Sequence, residues 1–343
     1  MNFNEKGLKQ HIASGEFLPV YLVSGTEGYL KQHYCSMLAK KAVPKDFENF
    51  NFHRLDGDDT SADEIAQCVE ALPMMSERTC VLVHDYDLDS SDDADKIIEL
   101  LQDLPPYCVL IFWMDTKVFL GKKKSAKEIL KNIDNAGARI ELNKRSANDL
   151  YALLVSGAKK RGSTLSVSNA QHLVSLAGTD MSTLINELEK ICSYAGNEIT
   201  KDDIDLLAVK TVEASVFKMV DALLEKSMDK AFINLDALLC QKTEPVLING
   251  ALISAYVDMY RAKVTSDTGR SLSDLKGIFP SQYKSDYRLK NAAVRSKRLS
   301  KDQIYKCLEF LNDADIKLKS TSEDKRVIFE YLMVKLAAAE ESV

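Results

Sequence analysis

The sequence predicts an α/β domain on a parallel sheet over residues 1–142, followed by all-helical domains over 143–211 and 212–343. Three observations carry this. Up to residue 142, short apolar runs alternate with stretches of helical periodicity, the pattern of strands covered on both faces by crossover helices. From residue 146 onward only helical periodicity is visible. The chain has 343 residues, too many for one ordinary core.

The elements follow in order. Residues 20–23 (VYLV) form a strand, and 27–42 a helix with Leu30, Tyr34, Met37 and Leu38 on one face. Residues 51–55 (NFHRL) alternate as a strand does, and a capping box of Ser61 and Glu64 opens a helix through Leu72. Buried strands at 79–84 (TCVLVH) and 107–113 (YCVLIFW) flank a helix over 93–103. A helix over 125–135 leads to a last strand at 139–142 (RIEL). The smaller helical domain holds helices over 146–161, 168–177, 180–194 and 201–209, with Asp180 capping the third. The larger one holds helices over 213–226, 228–241, 244–264, 282–294, 300–319 and 323–339. Residues 265–281 read as loop, with Gly269, Gly277 and Pro280 as turn residues.

Composition narrows the class. Apolar content of 45% and charged content of 28% describe a soluble globular chain. No apolar stretch approaches the about 18 residues that span a bilayer, so no membrane partner is expected. The opening MNFNEKGLKQHIASGE has no basic stretch leading into an apolar core, and a cytoplasmic location is expected. Cysteines at 35, 68, 80, 108, 192, 240 and 307 form no CxxC and no cluster with histidine. They read as reduced core residues, with neither a disulfide nor a metal site. Net charge is −6 but uneven. Residues 84–103 are strongly acidic, whereas 261–301 carry eleven Lys or Arg against three Asp. The basic segment suits nucleic acid or an acidic partner, or is a solvated helical face.

The stretch VYLVSGTEGYLKQ (20–32) has the form of a phosphate-binding loop: strand, glycine turn, and a helix carrying a lysine. A working loop reads GxxxxGK[ST]. Gly25 and Lys31 fit, but Leu30 stands where the second glycine admits the phosphate, and Gln32 where a hydroxyl holds magnesium. Glu27 adds a carboxylate in the first helical turn, where a phosphate would bring its charge, and Ser24 and Glu27 have capping-box spacing. The strand 79–84 ends in His84-Asp85-Tyr86, without the acidic pair of a magnesium site. Asp115 ends the next strand alone. No cofactor, metal or catalytic residue is expected, and no intrinsic ATPase. Residues 72–78 (LPMMSER) read instead as a Pro-turned loop. Its two adjacent methionines are either an exposed anchor or core tucked under the loop.

An α/β core followed by a small helical lid is the AAA+ plan. Four stretches go further. They are Y-L-x-x-G-x-E-x-Y-L from Tyr21 to Leu30, EALPMMSER at 70–78, GTDMSTLINELEK at 178–190 and ADIKLK at 314–319. In order and spacing the chain resembles the delta subunits of bacterial DNA polymerase III clamp loaders. That resemblance implies an AAA+-like α/β domain, a small helical lid and a C-terminal helical collar. It implies a non-hydrolysing subunit that grips the sliding clamp (beta) and helps open it. The implied partners are ATPase and delta-prime type subunits, and primed DNA within the assembled complex. The family's grip is a pair of large apolar residues, matched here by Met74 and Met75 with Leu72 before them. Phe or Leu is the commoner type there, but Met is flexible and suits an apolar pocket. Arg288, Lys290, Arg295, Lys297 and Arg298 become candidate DNA-facing residues. Two other functions fit the residues: a divergent phosphate-loop ATPase of helicase-loader or initiator type, using Lys31 with Asp85 or Asp115, and a DNA-binding protein using 261–301.

Overall fold

The structure, a computed structural model, describes residues 2–89, 93–280, 283 and 286–341. The chain divides into two compact units, Met1–Ser146 and Ala147–Val343.

The first unit runs β1 (Asn2–Phe3), α1 (Glu5–Ser14), β2 (Val20–Ser24), α2 (Gly28–Ala42), a 3-10 turn (Lys45–Phe47), α3 (Glu48–Asn51), β3 (Phe52–Asp56) and α4 (Ala62–Glu70). It continues through β4 (Thr79–His84), α5 (Ala94–Gln102), β5 (Cys108–Trp113), α6 (Lys124–Ala136) and β6 (Gly137–Glu141). The sheet order is β1-β6-β2-β5-β4-β3 and every pairing is parallel. The five expected strands are all present. Alternation explains how two layers are filled from continuous apolar strands. Val81, Val83, Leu110 and Phe112 face one side, where they meet Ile65 and Val69 of α4, Ile97 and Leu101 of α5, and Ile129 and Ile133 of α6. On the other side α2 packs against β2, β4 and β5 with Leu30, Cys35 and Leu38 buried.

Several boundaries differ from the sequence reading, each for a local reason. Two-residue β1 adds an edge strand beside β6, too short to show a period. The Ser61–Glu64 capping box forms as expected, but α4 stops at Glu70 rather than reaching Leu72. Pro73 disfavours helical geometry at the residue before it, and Ala71 is already extended. Asn51, expected to open β3, instead ends α3.

The second unit begins with α7 (Ala147–Lys160), β7 (Thr164–Leu165), α8 (Val167–Ala177), α9 (Met181–Ala195), β8 (Glu198–Ile199) and α10 (Lys201–Leu207). It continues with α11 (Val212–Leu224), α12 (Met228–Cys240), α13 (Pro245–Asp267), α14 (Leu272–Ile278), α15 (Asp286–Ser296), α16 (Lys301–Ser320) and α17 (Lys325–Glu341). Asp180 caps α9 by accepting from the Thr183 amide, as expected. The expectation that no strand follows residue 146 is overturned by β7 and β8, which pair in parallel. Two residues each are below the reach of a periodicity argument. The expected loop 265–281 is corrected too, since α14 lies within it, opened by a capping box of Ser271 and Asp274. The expected helix 282–294 begins partly outside the described residues; its described part is α15. Among the described residues no helix is long and apolar enough to cross a membrane.

Candidate functional site

The β2–α2 turn lies at the carboxyl edge of the sheet, beside the ends of β5 and β6. Gly25 sits at φ 116°, and a Cβ there would fall 2.2 Å from the Leu142 carbonyl oxygen. Close approach of the chain after β6 therefore requires this glycine, whether or not a phosphate ever comes near. Several of the turn's donors are spent internally. The Glu27 amide donates to the Leu142 carbonyl at 2.9 Å, and the Thr26 amide and hydroxyl both donate to Asn143 Oδ1 at 3.2 Å. Glu27 is the N-cap of α2, and its buried carboxylate accepts from the Tyr29 amide at 3.3 Å. That corrects the expectation that Ser24 and Glu27 share a capping box. Ser24 is the last residue of β2, and its carbonyl accepts from the Leu142 amide.

Lys31 is only 2% exposed. Its Nζ donates to the Met114 and Asp115 carbonyls, both at 2.9 Å, and lies 3.0 Å from Asp115 Oδ1. The ammonium thus fastens α2 to the end of β5 with three oxygen partners. Leu30 is core. Gln32 is exposed and lines a separate cavity of about 240 Å³ with Cys35, Arg54 and Trp113. Asp85, with φ 53°, is also engaged. It accepts from the Asp115 amide at 2.5 Å, the Thr116 amide at 2.9 Å and the Thr116 hydroxyl at 2.6 Å. Burial pushes its carboxyl up, but the Thr116 hydroxyl and the amides of Thr116, Asp115 and Lys117 outweigh that and hold its pKa below the ordinary value. The structure brings Lys31, Asp85 and Asp115 together as a phosphate site would, and joins them to each other and to main chain.

At the opposite, amino edge of β4, the α4–β4 loop presents Leu72, Met74 and Met75, which are 74%, 57% and 83% exposed. All three side chains stand exposed and are not tucked under the loop as core. Met75 occupies the left-handed region at φ 56°, unusual for a side chain without a polar group. Arg78, at the loop's end, lies 5.3 Å over the Phe17 ring. Two adjacent residues were not singled out from the sequence, and one of them contacts this loop. Asn51, fully buried, hydrogen bonds to both main-chain groups of Met74. Phe50, immediately before it, is 58% exposed. The signal for Phe50 was a large apolar residue outside any apolar period; Asn51 carried none.

The basic segment is partly structural. Arg288 Nε pairs with buried Asp258 at 2.5 Å, while Nη2 donates to Ser254 Oγ at 2.6 Å. Arg295 grips Asp221 with two bonds of 2.6 and 2.8 Å, its guanidinium 4.8 Å from the Phe217 ring centre. Arg298 donates to the Leu224 carbonyl at 3.3 Å. Lys290 and Lys297 are exposed. Lys284, also counted in the basic segment, lies outside the described residues.

A parallel sheet in this order, a central strand–turn–helix and a helical continuation define an AAA+-like subunit whose phosphate loop is closed by its own side chains. Two family models agree with this class: "DNA polymerase III, delta subunit" matches residues 21–141, and "DNA polymerase III delta subunit, C-terminal domain" matches 213–336. The chain belongs to the DNA polymerase III delta-subunit family. It is 25% identical to DNA polymerase III subunit delta of Bacillus subtilis over 339 residues, covering 95% of this chain and 94% of that protein. It is also 25% identical over 265 residues to a probable DNA polymerase III subunit delta of Aquifex aeolicus, covering 74% and 73% of the two chains. In fold it is similar to the Bacillus subtilis DNA clamp loader delta protein, with a TM-score of 0.61 at 23% identity over 96% of this chain and 98% of that one.

Proposed function

We propose that this chain is a non-catalytic clamp-loader subunit that binds the sliding clamp through Leu72, Met74 and Met75 and helps open it during DNA replication in the cytoplasm. The observation that carries the reading is a loop with two highly exposed methionines whose backbone is anchored from the core. A few well-placed residues carry most of the energy of an interface, and family membership supports the ring-shaped clamp as the partner. Opening would come from differential binding, with contacts that fit the open clamp better than the closed one.

The remaining assignments have separate support. The engagement of Lys31, Asp85 and Glu27 within the chain favours a subunit whose ATP is bound by neighbours, over a divergent ATPase of helicase-loader type. Residues 212–343 serve as the collar that joins ATPase and delta-prime type subunits, and 143–211 as the lid. In support, one core cluster draws its members from Val216 to Ala339. Val327, Tyr331 and Val334 stand exposed at helical spacing on α17. Lys290 and Lys297 remain the better candidates for primed DNA, because Arg288, Arg295 and Arg298 hold the fold.

The test is binding of the purified chain to purified sliding clamp. Met74→Ala/Met75→Ala should weaken it by at least tenfold, about 1.4 kcal/mol. Equal binding by both proteins removes the site assignment.

A further inference from the structure

Asn51 is the last residue of α3 and has no solvent exposure. Its amide reaches 23 positions along the chain to Met74. Oδ1 accepts the Met74 N–H at 2.7 Å, and Nδ2 donates to the Met74 carbonyl at 2.9 Å. Nδ2 also donates to the Phe47 carbonyl at 3.0 Å. A primary amide has two donors and an acceptor with two lone pairs, so little of its capacity is unused. Bonding both the N–H and the C=O of one residue is what a neighbouring strand does for a strand. Here one side chain does it for a loop that joins no strand ladder.

The residue held this way directly precedes Met75, whose left-handed backbone is the loop's least favourable conformation. Such a conformation persists only when its surroundings enforce it. The surroundings at Met75 are open, since its side chain is 83% exposed. The enforcement comes through the backbone at Met74, and so from Asn51.

We propose that Asn51 is a positioning residue, a latch that holds the 71–78 loop in its partner-ready shape before any partner arrives. This rests on the reading of Leu72, Met74 and Met75 as clamp anchors. Methionine side chains lose rotamer freedom on binding, so a mobile backbone beneath them would add a second ordering cost. With the latch removed, the loop populates the competent shape only part of the time, and apparent affinity falls by that fraction.

Two measurements on the full-length chain test this. In the wild-type protein alone, the Met74 amide should exchange its hydrogen far more slowly than those of Met75 and Ser76. Equal, fast exchange at all three overturns the latch without any variant. Against purified sliding clamp, Asn51→Ala should raise Kd about tenfold and speed Met74 exchange, with exchange in β4 and β5 unchanged. Asn51→Asp, of the same shape but without the two donors, should weaken binding as well, and it replaces the alanine variant should that one not fold. On top of Met75→Ala, Asn51→Ala should cost less than it does in the wild type, because part of what it positions is gone. Wild-type affinity in the Asn51 variants, or a full-sized loss on top of Met75→Ala, refutes the positioning role. A wild-type chain that does not bind the clamp refutes the anchor reading instead, and the exchange result still judges the latch.

Discussion

Lys31 separates a structural lysine from a phosphate-binding one by a measurement of stability. Lys31→Ala removes an ammonium that serves the Met114 and Asp115 carbonyls and the Asp115 carboxylate. Removing one partner of a buried ion pair costs about 3–5 kcal/mol, mainly because the other is left uncompensated. Asp115 retains 34% exposure, so water screens part of that loss. The expected cost is about 2–3 kcal/mol, or roughly 5–10 °C in Tm for a unit of this size. Urea unfolding followed by tryptophan fluorescence reads it directly, because the chain's one tryptophan, Trp113, lies in β5 beside the pair. Adding Asp115→Asn to Lys31→Ala should recover part of the loss, since no charge is then stranded. A lysine kept for ATP predicts the opposite: nearly unchanged stability in Lys31→Ala, and magnesium-dependent ATP binding that the substitution abolishes. That outcome would refute the structural account and revive the ATPase reading.

Two further outcomes concern the same edge of the sheet, and one in α13 serves as a control. Gly25→Ala drives a Cβ against the Leu142 carbonyl at a φ that side chains avoid, so it should cost about 3 kcal/mol or more. Gly250→Ala, with open space around it inside α13, should be neutral or stabilising by up to about 1 kcal/mol in the same melts. The folded pKa of Asp85 lies below its ordinary 3.8. Its contribution is therefore present above that value and lost as pH falls through the folded pKa. Stability measured from about pH 5 downward should fall more steeply in the wild type than in Asp85→Asn, and parallel acid limbs would count against the Asp85 network.

The layer order of the first unit was legible because its strands are long enough to show continuous apolar runs, and its helices carry recognisable caps such as Ser61 with Glu64. What escaped was short or non-periodic. β1, β7 and β8 have two residues each, and α3 has four, so no window holds a full period. At the candidate site, the loop with Met74 and Met75 drew notice because large apolar residues beside a proline stand out, while their choice with Leu72 as a grip came from the family resemblance. Asn51 could not, since its role depends on a contact 23 positions away. The defects at Leu30 and Gln32 were visible, but not that Lys31 had found other partners. Nor could charge counting foresee that Arg295 faces Asp221 across 74 positions. A run of like charges gives the sign of a segment and says nothing of which members are already paired.

The two edges of the first unit's sheet have opposite relations to solvent. At the carboxyl edge, the side chains of Lys31, Asp85 and Glu27 are engaged within the chain, so they are held with nothing bound. At the amino edge, apolar groups stand in water while the backbone beneath them is satisfied from the core. A site that must respond to its own ligand has to leave groups unsatisfied until that ligand arrives, and Lys31, Asp85 and Glu27 are already engaged. A site that must meet a partner ready-formed keeps its backbone held and its apolar groups bare, and the α4–β4 loop has bare methionines and a Met74 main chain held by Asn51. If the clamp is the partner, this chain's grip has no nucleotide switch of its own. Control must then come from outside, through neighbouring subunits that cover or uncover the loop. Measured on the isolated chain, clamp affinity should therefore be the same with and without ATP, and an ATP dependence should emerge only once the ATPase subunits are added.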